Sequence, residues 1–99
     1  MILLVLACTE PASFEECNTL SDAVERSDCH YRFAVGAEDQ QALLASMGSD
    51  LERDVLIVRL AEHDPREAGQ LCKQARTTSG RKKCDSVLGR PHLGAWKGQ

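Results

Sequence analysis

Apolar and polar positions follow the period of helices more closely than that of strands. Leu51, Val55, Leu56, Val58 and Leu60 surround Ile57, with Glu52, Arg53, Asp54 and Arg59 interspersed. This pattern predicts the central buried helix over 50–62. Residues 54–60 also have the β-branched content of a strand, but no second run of similar quality is present to pair with them, so helix is expected. Boundary chemistry divides the rest. Ser13-x-x-Glu16 and Ser49-x-x-Glu52 have capping-box form, and Asp64-Pro65-Arg66-Glu67 offers a cap, a proline at the first helical position and an acid in the first turn. Gly36 and Gly48 follow periodic stretches and suit helix ends. Helices are expected near 13–20, 23–35, 38–47, 50–62, 65–76 and 81–88, followed by a tail from Gly89. Tyr31, Phe33, Leu43, Leu44, Met47, Leu71 and Leu88 complete the expected core of an all-α domain.

Composition makes that core thin. The chain has 99 residues, 42% apolar and 27% charged, with a formal charge of −3, which fits one small domain. Residues 1–7 are all apolar; from Cys8 onward Leu, Ile, Val and Phe number 17 of 92. That share is below the roughly 20% at which a packed core becomes doubtful. Domains of this size draw additional stability from disulfides, metal or a partner, and five cysteines are available.

Setting Cys8 aside, Cys17–Cys29 and Cys72–Cys84 form two frames of equal spacing, C-x11-C. Arg26 and Arg81 coincide when the frames are aligned, and Glu10-Pro11 and Asp64-Pro65 precede them, which suggests an internal duplication. A continuous helix would hold two such cysteines about 18 Å apart, whereas disulfide-linked Cα atoms lie within about 7 Å. Local pairing therefore requires the chain to reverse inside each frame. The segments Leu20-Ser21-Asp22-Ala23 and Thr77-Thr78-Ser79-Gly80 supply the turn residues. The expected architecture is two stapled helical hairpins, Cys17–Cys29 and Cys72–Cys84, around the central apolar helix. Four cysteines leave other pairings open. The nested pattern, 17–84 with 29–72, would resemble twin C-x9-C helical hairpin proteins, from which this chain departs in its x11 frames and the 42 residues between them. No metal and no cofactor are expected, since structural zinc sites favour two to four residues between paired ligands and C-x-x-C is absent.

Val5-Leu6-Ala7-Cys8 resembles the lipobox of bacterial lipoproteins, with Ala7 and Cys8 matching and Leu6 an unusual occupant; no Lys or Arg precedes it. The resemblance implies that residues 1–7 are a truncated signal peptide and 8–12 a tether lipidated at Cys8. Residues 13–99 are then a single helical domain with a basic C-terminal hairpin and tail. It also implies a bacterial envelope location on the periplasmic side, with Thr9 pointing to the outer membrane and the membrane surface as a partner through the lipid. The alternative is a buried strand or helix end in a cytosolic protein. No apolar run reaches the about 20 residues of a membrane-spanning helix.

Charge and candidate chemistry point away from catalysis. Residues 1–64 carry 13 acids and four bases, whereas residues 65–99 carry two acids and eight bases. The expected outcome is that the basic hairpin folds against the acidic half; the run Arg81-Lys82-Lys83 is short for a nucleic-acid or lipid patch. Sequence motifs of hydrolases, zinc proteases and nucleotide-binding enzymes are absent. His30 is expected to be a partly buried helix residue, and Asp64 beside His63 a helix cap. Arg90, His92 and Trp96, in a tail without helical pattern, are candidate partner-binding residues, with packing of Leu93 and Trp96 onto the hairpins as the alternative. The expected function is a small envelope-anchored helical interaction or accessory protein with a protein partner, not an enzyme. Alternatives are a small enzyme or thiol-based redox sensor using Cys84 and His92, and a cytosolic helical nucleic-acid-associated protein.

Overall fold

The computed structural model of the chain describes residues 11–89, all of whose regular structure is helical. The expected signal peptide, the Cys8 tether and the tail residues Arg90, His92 and Trp96 lie outside the described residues. A 3-10 turn at Glu15–Thr19 leads to α1 (Ala23–Val35), α2 (Gln40–Ala45) and α3 (Asp50–His63). A second 3-10 turn, Pro65–Glu67, continues into α4 (Ala68–Cys72), and α5 (Thr78–Gly89) closes the described chain. Helix α3 is central, packing on α1, α4 and α5.

Caps set most starts. Asp22 accepts from Glu25 N at 3.0 Å, Asp39 from Ala42 N at 3.0 Å, and Ser49 from Glu52 N at 3.2 Å. Each satisfies an amide that has no partner within its own helix. Asp64 caps the second 3-10 turn through Arg66 N, as its sequence context predicts.

Three expected helices are corrected. The segment 13–20 is a 3-10 turn, because Glu16 N and Cys17 N donate three residues back to Ser13 O and Phe14 O, and Leu20 then leaves in an extended conformation. The segment 65–76 is helical only to Cys72. The second reversal occurs after Cys72, not at Thr77–Gly80; there Thr77 Oγ1 accepts from Gly80 N at 2.9 Å and starts α5 three residues earlier than expected. Threonine and serine favour both turns and helix starts, so composition alone cannot separate these roles. In addition, α2 is shorter than the expected 38–47.

Both frames close locally, Cys17–Cys29 and Cys72–Cys84, each with a Cα separation of 5.6 Å. Their internal hydrogen bonds match position by position. Five residues after the first cysteine stands the cap, Asp22 or Thr77, bonded to the amide of Glu25 or Gly80. Nine residues after it, Arg26 Nη1 donates to Leu20 O and Ser21 O, while Arg81 Nη1 donates to Ala75 O and Arg76 O. Each arginine folds back over the reversal and bonds carbonyls left without helical partners. This correspondence gives the duplicated spacing a structural basis.

The core combines Phe14, Leu44, Leu56, Ile57, Leu60, Leu71 and Val87 with the small residues Ala34, Ala61, Ala68 and Ala75, which let helices approach closely. Tyr31, Phe33, Leu43 and Met47 pack against it while partly exposed. Two expected core residues are corrected: Leu51 is 56% and Leu88 49% exposed. Helix α3 buries Arg53, Asp54, Leu56, Ile57, Val58, Leu60 and Ala61, and its first turn places Leu51 outside that face.

Candidate functional site

Among the described residues, an apolar open groove of about 450 Å³ lies between α1 and α3. Ala23, Val24 and Ser27 line one wall, Leu51 and Val55 the other. Val24 is 67% exposed, so the groove opens between two solvent-facing aliphatic side chains. Its other lining residues form two ion pairs. Arg26 donates to Glu52 Oε2 through Nε at 3.0 Å and Nη2 at 2.8 Å, while its Nη1 is held by the carbonyls of its own frame. Arg59 Nη1 lies 2.8 Å from Asp28 Oδ1 and 3.1 Å from Ser27 Oγ, and its guanidinium stacks 4.4 Å from the Tyr31 ring centroid. The Tyr31 hydroxyl continues the chain to His63 Nδ1 at 3.2 Å. The flanking charges are thus held in place by the fold around an aliphatic surface.

A second constellation is buried where α3 meets the 74–77 connection and α5. Asp54, 1% exposed, accepts from Arg76 N, from Thr77 N at 2.7 Å and from Thr77 Oγ1 at 2.7 Å. The adjacent Arg53, also buried, donates to Gln74 O at 2.9 Å and Gln74 Oε1 at 3.2 Å. Neighbouring side chains of α3 therefore clasp the 74–77 connection from both ends. Burial opposes the charge on Asp54, but the Thr77 amide and hydroxyl, the Arg76 amide and the Arg53 charge together outweigh it and hold the carboxyl below its usual range. A Cβ at Gly80 would overlap the Asp54 side chain, so this close approach of α5 to α3 requires glycine. The role of the clasp is to position α5.

His30 is almost fully buried, with Nε2 3.0 Å from Asn18 Oδ1 and its ring 4.8 Å from that of Phe14. Burial lowers its basicity, Glu52 opposes that and Arg26 adds to it; the net shift is downward. It ties α1 to the first 3-10 turn. In the basic run, Arg81 is engaged with its own frame, while Lys82 and Lys83 are exposed. Arg76 reaches Asp50 at 2.9 Å, one direct link between the basic and acidic halves of the chain.

Of the residues singled out from sequence, the structure joins the four frame cysteines in pairs and places Cys84 in a bridge rather than as a free thiol. Among the described residues no group of three or more His, Cys, Asp or Glu side chains is placed to hold a metal ion. No described helix is long and apolar enough to cross a membrane. Sequence reasoning missed the groove because Leu51 belongs to an apolar helix and was assigned to its buried side. The signal available for it was Val24, an aliphatic residue followed directly by the charged Glu25 and Arg26. No protein family, curated protein or solved structure matches this chain.

Proposed function

We propose that the chain is a non-catalytic, disulfide-stapled binding module, tethered to the bacterial envelope through a lipid on Cys8, that receives an apolar segment of a protein partner in the α1/α3 groove. The observation that carries this reading is the pairing of exposed Val24 and Leu51 across a groove whose flanking charges are engaged with one another. Exposed apolar surface bounded by polar groups is characteristic of association sites. The two bridges support an oxidising, non-cytosolic environment, which is consistent with the periplasmic side; Thr9 favours the outer membrane. Arg90, His92 and Trp96 remain candidate partner-binding residues in this reading.

The groove is tested with the double variant Val24→Asp/Leu51→Asp. Both side chains are exposed, so the thermal midpoint is expected to stay near that of the parent, while a photo-crosslinker at position 27 loses the adduct it forms with its envelope partner. An unchanged adduct would rule out the groove. Tethering is tested separately by Cys8→Ser, which is expected to lose lipid labelling and move the protein from the membrane to the soluble fraction.

A further inference from the structure

The two bridges share loop length and Cα separation but differ in surroundings. Cys17 and Cys29 have no exposed surface. Cys84 is 2% exposed, whereas Cys72 is only half-buried, and both line an open groove of about 420 Å³ beside α4 and α5. Gly69 lines the same groove, and even a Cβ there would meet nothing within 4 Å, so no packed side chain blocks the approach at that point. Lys73 follows Cys72 directly, and Arg81 lies one helical turn before Cys84; both cations line the groove together with the single acid Asp85. Neighbouring cations favour thiolates over thiols, both attacking and departing.

We propose that Cys72–Cys84 is a thiol–disulfide exchange site for a dithiol reductant, while Cys17–Cys29 is a permanent staple. A thiolate of the reductant attacks Sγ of the half-buried, groove-lining Cys72. A mixed disulfide forms, the Cys72–Cys84 bond breaks, and its electron pair departs on Cys84 Sγ, on the same helix as Arg81. The second thiol of the reductant loses its proton and attacks the reductant's own sulfur in the mixed disulfide, releasing Cys72 as a thiolate. Two electrons pass from the dithiol, which becomes a disulfide, and the two protons it gives up are matched by those taken up at Cys72 and Cys84. Opening is local, because the bonds from Arg76, Thr77 and their neighbours to Asp54 and Arg53 involve no sulfur and keep α5 docked.

The test is a dithiothreitol titration of the folded full-length chain without denaturant, quenched with iodoacetamide and mapped by mass. The expected intermediate carries two carbamidomethyl groups, on Cys72 and Cys84, beyond any on Cys8, with Cys17–Cys29 intact. Simultaneous labelling of all four frame cysteines, or earlier labelling of Cys17 and Cys29, would overturn the proposal. In Lys73→Glu the added negative charge repels the incoming thiolate, and opening of Cys72–Cys84 is expected to slow about threefold or more. An unchanged rate would show that the groove cations take no part and would likewise overturn it.

Discussion

At Asp54, replacement of one carboxylate oxygen by an amide preserves shape and reverses the sense of a hydrogen bond. Three donors converge on this side chain from Arg76 and Thr77. Asp54→Asn therefore sets an N–H group against a donor in a buried site, and a loss of about 2–3 kcal/mol in urea unfolding is expected. The same residue contributes to the acid limb of stability. Its folded carboxyl lies below the unfolded value of 3.8, so its contribution is complete above that pH and disappears as pH falls through the folded value. His30 acts at higher pH. Its folded basicity is lowered from 6.5, so the neutral ring is favoured in the fold, and stability is full above pH 6.5 and declines as pH falls below it. Urea midpoints measured against pH check both: His30→Gln is expected to flatten the upper decline, and Asp54→Asn the lower one. The sequence showed Asp54 as one of several polar positions on an apolar helix. Its partners are amides more than 20 positions away, and neither periodicity nor residue type reveals them.

Among the elements, helix starts were legible at Asp22, Ser49 and Asp64, where an Asp or Ser side chain decides them, because capping is chemistry between near neighbours; the start at Asp39 was not, since the expected helix began at 38. Extents were less legible. The stretch 65–76 ends early as a helix because the chain reverses to bring Cys84 back to Cys72, a constraint from outside the segment. The shared arginine was visible as a coincidence of position, though not its duty of bonding the carbonyls at the reversal. That duty predicts unequal losses in the two frames. Arg81→Met removes the contacts to Ala75 O and Arg76 O and is expected to cost about 1 kcal/mol, whereas Arg26→Met also removes the Glu52 pair and is expected to cost about 2–3 kcal/mol. Chemical unfolding of both variants, with the bridges intact, measures the difference. Equal losses would mean that the Arg26–Glu52 pair adds nothing to the frame.

Across the whole molecule, the all-α class was legible from helical periodicity and caps, and the two equal cysteine frames made local pairing the expected one among several, because loop closure at fixed separation is a strong geometric demand. The α1/α3 groove was not legible, since it depends on which face of α3 is buried, and that face includes the polar Arg53 and Asp54 but not Leu51. Each bridge closes a loop of equal length, so chain entropy assigns each about 3 kcal/mol. Cys17→Ala/Cys29→Ala is expected to cost more than Cys72→Ala/Cys84→Ala, because it also opens space around two fully buried sulfurs, and thermal unfolding of the two variants compares them. Losing both staples should leave the chain largely unfolded at room temperature. The clasp formed by Arg53 and Asp54 has a consequence for motion. Connections between short helices ordinarily exchange their amide hydrogens with solvent quickly. Here the amides of Arg76 and Thr77 are bound to a buried carboxylate on the central helix, so their deuterium uptake should be as slow as that of the Leu56–Leu60 backbone. The slowest-opening part of the molecule would then include a stretch that forms no helix.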